Sequence, residues 1–170
     1  MRAASTWATG ILALTLLMSS PVSAADFIDI HGAWSVFANK KAKASECHMG
    51  SEPTKETGKY KKRGDAYVLV AHDRKAKTFN VVSFSQGYTL KKDTDVVVQI
   101  GGHKFDLFAA DDTAWARDAK TDGALVAAMR GGAEMTVTGF SARGTKTVDT
   151  YSLKGVSAAH KAINKLCGVK

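Results

Sequence analysis

Asp149 is the residue of this chain whose setting points most directly to chemistry. It lies in the string Thr147-Val-Asp-Thr-Tyr151, where strand alternation places Thr147, Asp149 and Tyr151 on one face. Burying an unpaired carboxylate is costly, so an inward-facing Asp149 needs hydrogen-bond partners. Two hypotheses stay open. Either these three side chains form a structural polar network, or Asp149 is an acid or base in a cleft near Asp149 or His103.

The histidines, serines and cysteines match no motif for metal binding or nucleophilic catalysis. The chain has no His-x-His, His-Glu-x-x-His or Cys-x-x-Cys spacing, and neither a Gly-x-Ser-x-Gly elbow nor a Ser-x-x-Lys pair. A zinc site would have to be assembled from distant strands. We therefore predict no catalytic residue, no metal site and no cofactor.

Positive charge is concentrated in one segment. The chain carries 24 Lys and Arg against 16 Asp and Glu, and eight of those bases but only three acids lie between residues 40 and 63. Such a segment is either a solvated loop or a contact for lipopolysaccharide, a host glycosaminoglycan or another polyanion. Nucleic acid is not the predicted partner, because no recognition helix, finger or stacked-aromatic motif accompanies the lysines. The candidate contact residues are Lys40, Lys41, Lys43, Lys59, Lys61, Lys62 and Arg63.

The first 25 residues read as a cleavable secretory signal. Arg2 is followed by an apolar run at 10–18, which is too short to cross a hydrocarbon core of ~30 Å, and small residues end the segment at Ala24 and Ala25. We expect one domain over residues 26–170, with no membrane-spanning segment, in the periplasm or outside the cell. In an oxidising compartment, Cys47 and Cys167 form a disulfide by default.

Apolar residues over 26–170 recur mostly with period two, which predicts a mainly β fold. Gly101-Gly102 predicts a two-residue hairpin loop, and residues 39–64 are expected to be loop with a short strand near 47–50. Sheets with one apolar face must cover one another, so we predict a two-sheet sandwich. The predicted strands are 30–37, 67–71, 78–84, 95–100, 103–108, 112–117, 134–140 and 145–153.

Two segments break this pattern and predict helices. Residues 122–130 are Ala-rich, begin at Asp122 as an N-cap and stop before two glycines. Ser157 is placed to cap a C-terminal helix over 158–167 that Gly168 ends. Ala159, Ile163 and Leu166 mark its inward stripe, and Cys167 lies on that side. The terminal helix can therefore bring Cys167 to Cys47.

The most specific string is residues 143–167, Arg-Gly-Thr-Lys-Thr-Val-Asp-Thr-Tyr-Ser-Leu-Lys-Gly-Val-Ser-Ala-Ala-His-Lys-Ala-Ile-Asn-Lys-Leu-Cys. It resembles the invasion-associated locus B family of exported bacterial proteins, which ends in a similar GTxTxDTYSLxGFxAAxxAIxxxC run; Val156 stands where that family usually has an aromatic. The resemblance implies an immunoglobulin-like β-sandwich, a periplasmic or surface location and, in some bacteria, a role in host-cell contact or entry. It implies no known catalytic residues. It extends through residues 64–67, 104–108, 112–116 and 124–130.

Three functional hypotheses follow for this exported domain. The first is a non-catalytic binding protein that contacts a polyanionic component of the envelope or of a host surface through the basic segment. The second is a periplasmic enzyme or small-ligand-binding protein with a cleft near Asp149 or His103. The third is a structural factor that maintains the envelope. The oligomeric state is not predicted.

Overall fold

The structure is a computed structural model that describes residues 25–39 and 44–169. Within them the chain forms eleven strands and two helices, with nine strands before the first helix, so the mainly β prediction is confirmed. The strands are β1 Asp26–His31, β2 Trp34–Ala38, β3 Glu46–Ser51, β4 Lys55–Gly58, β5 Tyr67–Asp73, β6 Thr78–Ser85, β7 Val96–Ile100, β8 His103–Ala110, β9 Thr113–Trp115, β10 Glu134–Phe140 and β11 Lys146–Ser152; the helices are α1 Ala119–Gly131 and α2 Val156–Cys167.

All strand neighbours are antiparallel, in the order β1-β2-β3-β5-β6-β9-β8-β7-β10-β11-β4. Strand β8 belongs to both halves of this sheet, because Leu107 pairs with Val96 of β7 while Phe108 pairs with Trp115 of β9. The continuous sheet therefore folds over itself at β8. The predicted sandwich is correct in its packing, but its two layers share one strand.

The core lies between the two inner faces. Phe84 of β6 meets Tyr151 of β11 edge-on at 6.4 Å between ring centroids, and the Trp34 indole Nε1 donates to the Ser152 carbonyl at 3.1 Å. Helix α1 covers β6 and β8, and α2 covers β2, β3 and β5. Burial of these apolar side chains is the main stabilising contribution. The largest buried apolar side chains are Trp34, Tyr151, Phe84, Met49, Ile100, Leu107, Leu125, Met129, Met135 and Ile163.

The hairpin at Gly101-Gly102 forms as predicted, with Gly101 at a φ of 54°. The single strand predicted over 30–37 is wrong, because Gly32, at a φ of 60°, turns the chain and creates the β1–β2 hairpin. A Cβ at Gly32 would lie against the Lys154 carbonyl, so the turn also needs glycine for space.

Both predicted N-caps are wrong. Helix α1 starts earlier than predicted, and Asp118 accepts a hydrogen bond from the Thr121 amide at 2.7 Å as its cap. Helix α2 is capped by Gly155 at a φ of 95°, where a Cβ would collide with the His31 carbonyl. Ser157 instead donates to the Arg130 carbonyl at 3.3 Å, which links α2 to α1.

Candidate functional site

A buried ion pair joins Arg63 to Asp149. Arg63 Nη1 donates to Asp149 Oδ1 at 2.7 Å, and Nη2 donates to Oδ2 at 2.6 Å. The Arg63 side chain is 3% exposed and that of Asp149 is 0% exposed. Arg63 Nε also donates to the Gln86 carbonyl at 2.8 Å, and Nη1 to Glu56 at 3.1 Å. The bidentate geometry fixes the guanidinium plane as well as its position.

The surroundings of Arg63 keep it charged. Burial acts to lower the pKa of Arg63, but the hydrogen bonds and charge of Asp149 outweigh it and raise that pKa further above its usual value. The guanidinium carbon lies 5.7 Å from the ring centroid of Tyr60 and 5.2 Å from that of Tyr88. Both distances are within the range of cation–π attraction.

The residues that flank Asp149 on β11 extend this polar cluster. Thr147, Asp149 and Tyr151 are all buried on the inner face of the strand. The hydroxyls of Thr147 and Tyr88 are 2.6 Å apart. Burial raises the pKa of both Tyr88 and Tyr151, and the Asp149 charge adds to this at each, so both phenols stay protonated at neutral pH.

We define the strap as residues 59–64, which cross the end of the sheet directly after β4. The strap is fastened at three places. Strand β4 pairs with β11, the side chain of Arg63 reaches Asp149, and the Gly64 amide donates to the Gly87 carbonyl at 2.9 Å. Gly87 has a φ of 65°, and a Cβ there would collide with the Gly64 carbonyl. The strap is thus held at both ends, by β4 before Lys59 and by Arg63 and Gly64 after Lys62.

A groove of about 750 Å³ lies between the strap and the turn that joins β10 to β11. We call it the basic groove, because it is lined by five basic residues and no carboxylate. Lys59, Lys61, Lys62 and Arg143 are exposed and make no ion pair with any described residue. The lining residues are Lys59, Tyr60, Lys61, Lys62, Arg63, Gly64, Gly87, Tyr88, Thr89, Ser141, Ala142, Arg143, Thr145 and Thr147.

The strap also borders a second cavity, of about 490 Å³. Glu52, Glu56 and Asp65 line this cavity together with strap residues. Glu56 is partly exposed and pairs with Arg63. The strap therefore separates a groove without acids from a cavity of mixed charge, and an anion would be favoured on the basic-groove side only.

The structure changes the predicted contact set. Lys59, Lys61, Lys62 and Arg63 all line the basic groove, but Asp149 holds the Arg63 guanidinium inside the fold, whereas the three lysines are exposed. Lys40, Lys41 and Lys43 lie outside the described residues, as do residues 1–24 of the predicted signal. Arg143, which reaches the groove from the β10–β11 turn, was not predicted from the sequence. The one signal that indicates its exposure is its position beside the glycine of that turn.

His103 and Asp149 do not share a cleft. His103 is exposed at the start of β8, and Asp149 lies in β11, three strands away in the order β8-β7-β10-β11. Neighbouring strands are about 4.8 Å apart, so three spacings separate the two by roughly 14 Å. Asp149 is also fully occupied by Arg63. A cleft near Asp149 would therefore meet a carboxylate that is already paired with Arg63, which does not favour Asp149 as an acid or base.

Comparison with known proteins identifies the family. Residues 34–164 match the model of the Invasion associated locus B (IalB) protein family. The chain belongs to this family. The IalB family is associated with exported proteins and is not known for enzymes. Family membership makes the chain an invasion-associated protein at this coarse level and assigns no molecular activity.

The IalB fold is also seen in a solved structure. The chain is similar to the crystal structure of invasion associated protein b from Bartonella henselae, with a TM-score of 0.54 and 17% sequence identity. The match covers 85% of this chain and 98% of that one, and at this identity it shows the fold alone. Comparison with curated proteins found no match.

A second polar cluster in this IalB family member lies beside its disulfide. The backbone amide of Asn80 donates to His72 Nδ1 at 3.0 Å, so the proton of neutral His72 is on Nε2. That nitrogen lies 2.7 Å from Asn164 Oδ1. His160 Nε2 lies 2.8 Å from Asn80 Oδ1. Burial lowers the pKa of His72, and burial with the charges of His72 and Arg130 lowers the pKa of His160 to about 4. These contacts dock α2 on the sheet.

The Cys47–Cys167 disulfide is confirmed and joins β3 to the end of α2, with 6.0 Å between the two Cα atoms. Among residues 25–39 and 44–169, no group of three or more His, Cys, Asp or Glu side chains is arranged to hold a metal ion. Over the same ranges, neither helix has the length and hydropathy needed to cross a membrane. The basic groove therefore stands out as the candidate site.

Proposed function

We propose that this protein is an exported, non-catalytic binding protein that holds an anionic component of the bacterial envelope or of a host surface in its basic groove. Four unpaired cations surround a concave space with no carboxylate in its lining. An arrangement of this kind concentrates anions and speeds their association. Export through the predicted signal would place the groove where envelope glycans and host surfaces occur.

The observation that carries this proposal is the fastening of the strap. A loop whose lysines only maintain solubility needs no internal anchor, whereas this strap is held by the buried Arg63–Asp149 pair. Burying two charges costs free energy that the pair only partly returns, so such a pair is often kept for specificity rather than for stability. The anchor holds the strap backbone that carries the lysines, which lowers the cost of ordering that segment when a ligand binds.

The test is binding of fluorescently labelled heparin, a general polyanion, to the natively exported protein at several salt concentrations. We expect the triple variant Lys59→Glu, Lys61→Glu, Lys62→Glu to lower affinity at least tenfold and to reduce the dependence on salt. Arg63 is left unchanged, because its replacement would disturb the fold.

The matched control is Lys120→Glu, Lys154→Glu, Lys161→Glu, which changes the net charge equally at three exposed positions outside the groove lining. A loss below twofold is expected there. Equal losses in the two triple variants would mean that overall charge, and not the basic groove, holds the polyanion, and the proposal would be wrong. A second readout is adhesion of the same variants to intact bacterial envelopes and to host cells.

A further inference from the structure

The uncharged part of the groove lining limits which anion fits. Six of the lining residues carry a hydroxyl, and the others that are not basic are glycine or alanine. No Leu, Ile, Val, Met, Phe or Trp side chain lines the space. Apolar ligand groups gain free energy by contacting such side chains, so an acyl chain would contact only tyrosine rings, alanine and the aliphatic parts of lysine, arginine and threonine side chains here. The lining instead favours a ligand rich in hydroxyl groups.

Some of these hydroxyls are already used and others are free. The Thr147 hydroxyl bonds Tyr88, and the Ser141 hydroxyl accepts from the Thr145 amide at 3.1 Å. The hydroxyls of Thr89 and Thr145 make no hydrogen bond with any residue the structure describes. Thr89 is exposed and Thr145 is half-buried, so both can reach a ligand in the groove.

The lysines and the free hydroxyls come from different segments of the lining, whereas Arg143 lies in the same turn as Thr145. Lys59, Lys61 and Lys62 come from the strap, while Arg143 and Thr145 come from the β10–β11 turn. A ligand between these segments would meet charge from both. Sulfate and phosphate groups pair well with lysine and arginine, and sugar hydroxyls can both donate to and accept from threonine.

We infer that the basic groove binds an oligosaccharide bearing sulfate or phosphate groups, with the lysines and Arg143 pairing the anionic groups and Thr89 and Thr145 hydrogen-bonding the sugar hydroxyls. This inference rests on the proposed function and narrows its ligand class. It disfavours a ligand held mainly by a lipid tail, and it predicts hydrogen bonds from the threonines that a polyanion without sugars would not make. Sulfated sugars occur on host surfaces and phosphorylated sugars in bacterial envelopes, so the same chemistry has two sources.

The experiment compares three probes of similar charge by calorimetry on the natively exported protein. They are a sulfated heparin hexasaccharide, a phosphorylated core oligosaccharide freed of lipid, and linear polyphosphate, which has no sugar. The variants are Thr89→Val and Thr145→Val, which remove a hydroxyl at nearly constant volume. The control is Thr136→Val in β10, a half-buried position outside the groove lining.

We expect each groove variant to weaken binding of at least one of the two oligosaccharides about fivefold, the loss for one hydrogen bond, and to change polyphosphate binding less than twofold. The oligosaccharide that binds more tightly identifies the source. If the threonine variants lose as much affinity for polyphosphate as for the oligosaccharides, or lose no affinity for either oligosaccharide, the inference is wrong. The basic groove would then remain a polyanion site. If no probe responds to the triple lysine variant, the proposed function fails and the inference with it.

Discussion

Arg63 and Asp149 are 86 residues apart in the chain and meet through two parallel hydrogen bonds of 2.7 and 2.6 Å. Their contact ties the strap, which is mostly exposed, to the inner face of β11, which is buried. Because the Asp149 side chain is 0% exposed, the Arg63 guanidinium takes the place of the water that would otherwise hydrate the carboxylate. The pair therefore contributes both to the stability of the fold and to the position of the strap beside the basic groove.

Removing one partner of this pair should be strongly destabilising. We expect Arg63→Met or Asp149→Asn to lower the free energy of unfolding by about 3–5 kcal/mol, because either change leaves a buried charge without its partner. Urea denaturation followed by tryptophan fluorescence measures this. The double variant Arg63→Met, Asp149→Leu should recover part of the loss.

The control for that prediction is Glu56→Gln. Glu56 also contacts Arg63, but its side chain is 38% exposed, and surface pairs contribute below about 1 kcal/mol. A loss of stability in Glu56→Gln as large as that in Asp149→Asn would show that the charge of Arg63, and not its burial with Asp149, accounts for the effect.

Gly87→Ala should disturb the strap through its backbone. The φ of 65° costs an alanine about 1 kcal/mol, and the new Cβ would also collide with the Gly64 carbonyl. We expect lower heparin affinity together with a loss of stability of at least about 2 kcal/mol. Gly101→Ala is the matched control, since Gly101 has a φ of 54° and open space around its Cβ. If the two variants lose equal stability and bind heparin equally, the contact of Gly87 with the strap has no effect of its own.

Stability should fall as the pH is lowered through the range set by His48, His72 and His160, the histidines whose pKa burial lowers. Their pKa values are lowered in the fold, so the unfolded chain, with a histidine pKa of about 6.5, takes up protons first. Stability is thus complete above about pH 6.5 and declines as the pH falls toward about 4, the pKa of His160. Asp122 acts in the opposite sense at the acid end, because burial raises its pKa and its protonation favours the folded state.

The pH prediction is checked by urea midpoints at pH 7.5 and pH 5.0. His160→Gln should show a smaller drop between the two pH values than the parent protein, because one proton-linked group is gone. Lys161→Gln, on the exposed side of the same helix, should show the parent's drop. An unchanged drop in His160→Gln would assign the acid sensitivity to other groups.

The disulfide should resist reduction in the native state. Cys47 and Cys167 are each 1% exposed, so a thiol reagent reaches the bond only after α2 leaves the sheet. We expect slow reduction by dithiothreitol in buffer and fast reduction in urea, as measured by free-thiol labelling. The Cys47→Ala, Cys167→Ala variant should lose up to about 4–5 kcal/mol, the chain-entropy contribution for a loop of this length. Fast reduction in buffer would contradict this account.

Local patterns in the sequence predicted most of the strands but not the helix caps. Gly101-Gly102 specifies a hairpin by backbone preference alone, and the hairpin forms. Asp122 looked like an N-cap for the same local reason. In the fold, however, it is buried and accepts from the Val82 amide of β6 at 2.9 Å, and Asp118 caps the helix. Asp118 rather than Asp122 caps the helix because the Asp122 side chain faces strand β6.

The residues of the basic groove were also only partly predictable from the sequence. The excess of lysines over residues 40–63 was visible in the sequence, and the structure places Lys59, Lys61 and Lys62 from that segment in the groove lining. Arg63 was grouped with them because charge alone does not reveal a partner 86 residues away. Arg143 was missed for the converse reason, since it is isolated in sequence and reaches the groove only when β10 and β11 form their hairpin.

The bond between Cys47 and Cys167 also turns most of the molecule into a closed covalent ring. A pulling force applied to the two ends passes through the disulfide and the residues outside it, so the 120-residue interval between the cysteines carries no load. The part of the chain before Cys47, which includes the β1–β2 hairpin, and the residues after Cys167 can be extended. Such a protein would lengthen by about 3.4 Å for each of those residues, and the disulfide would then prevent further extension.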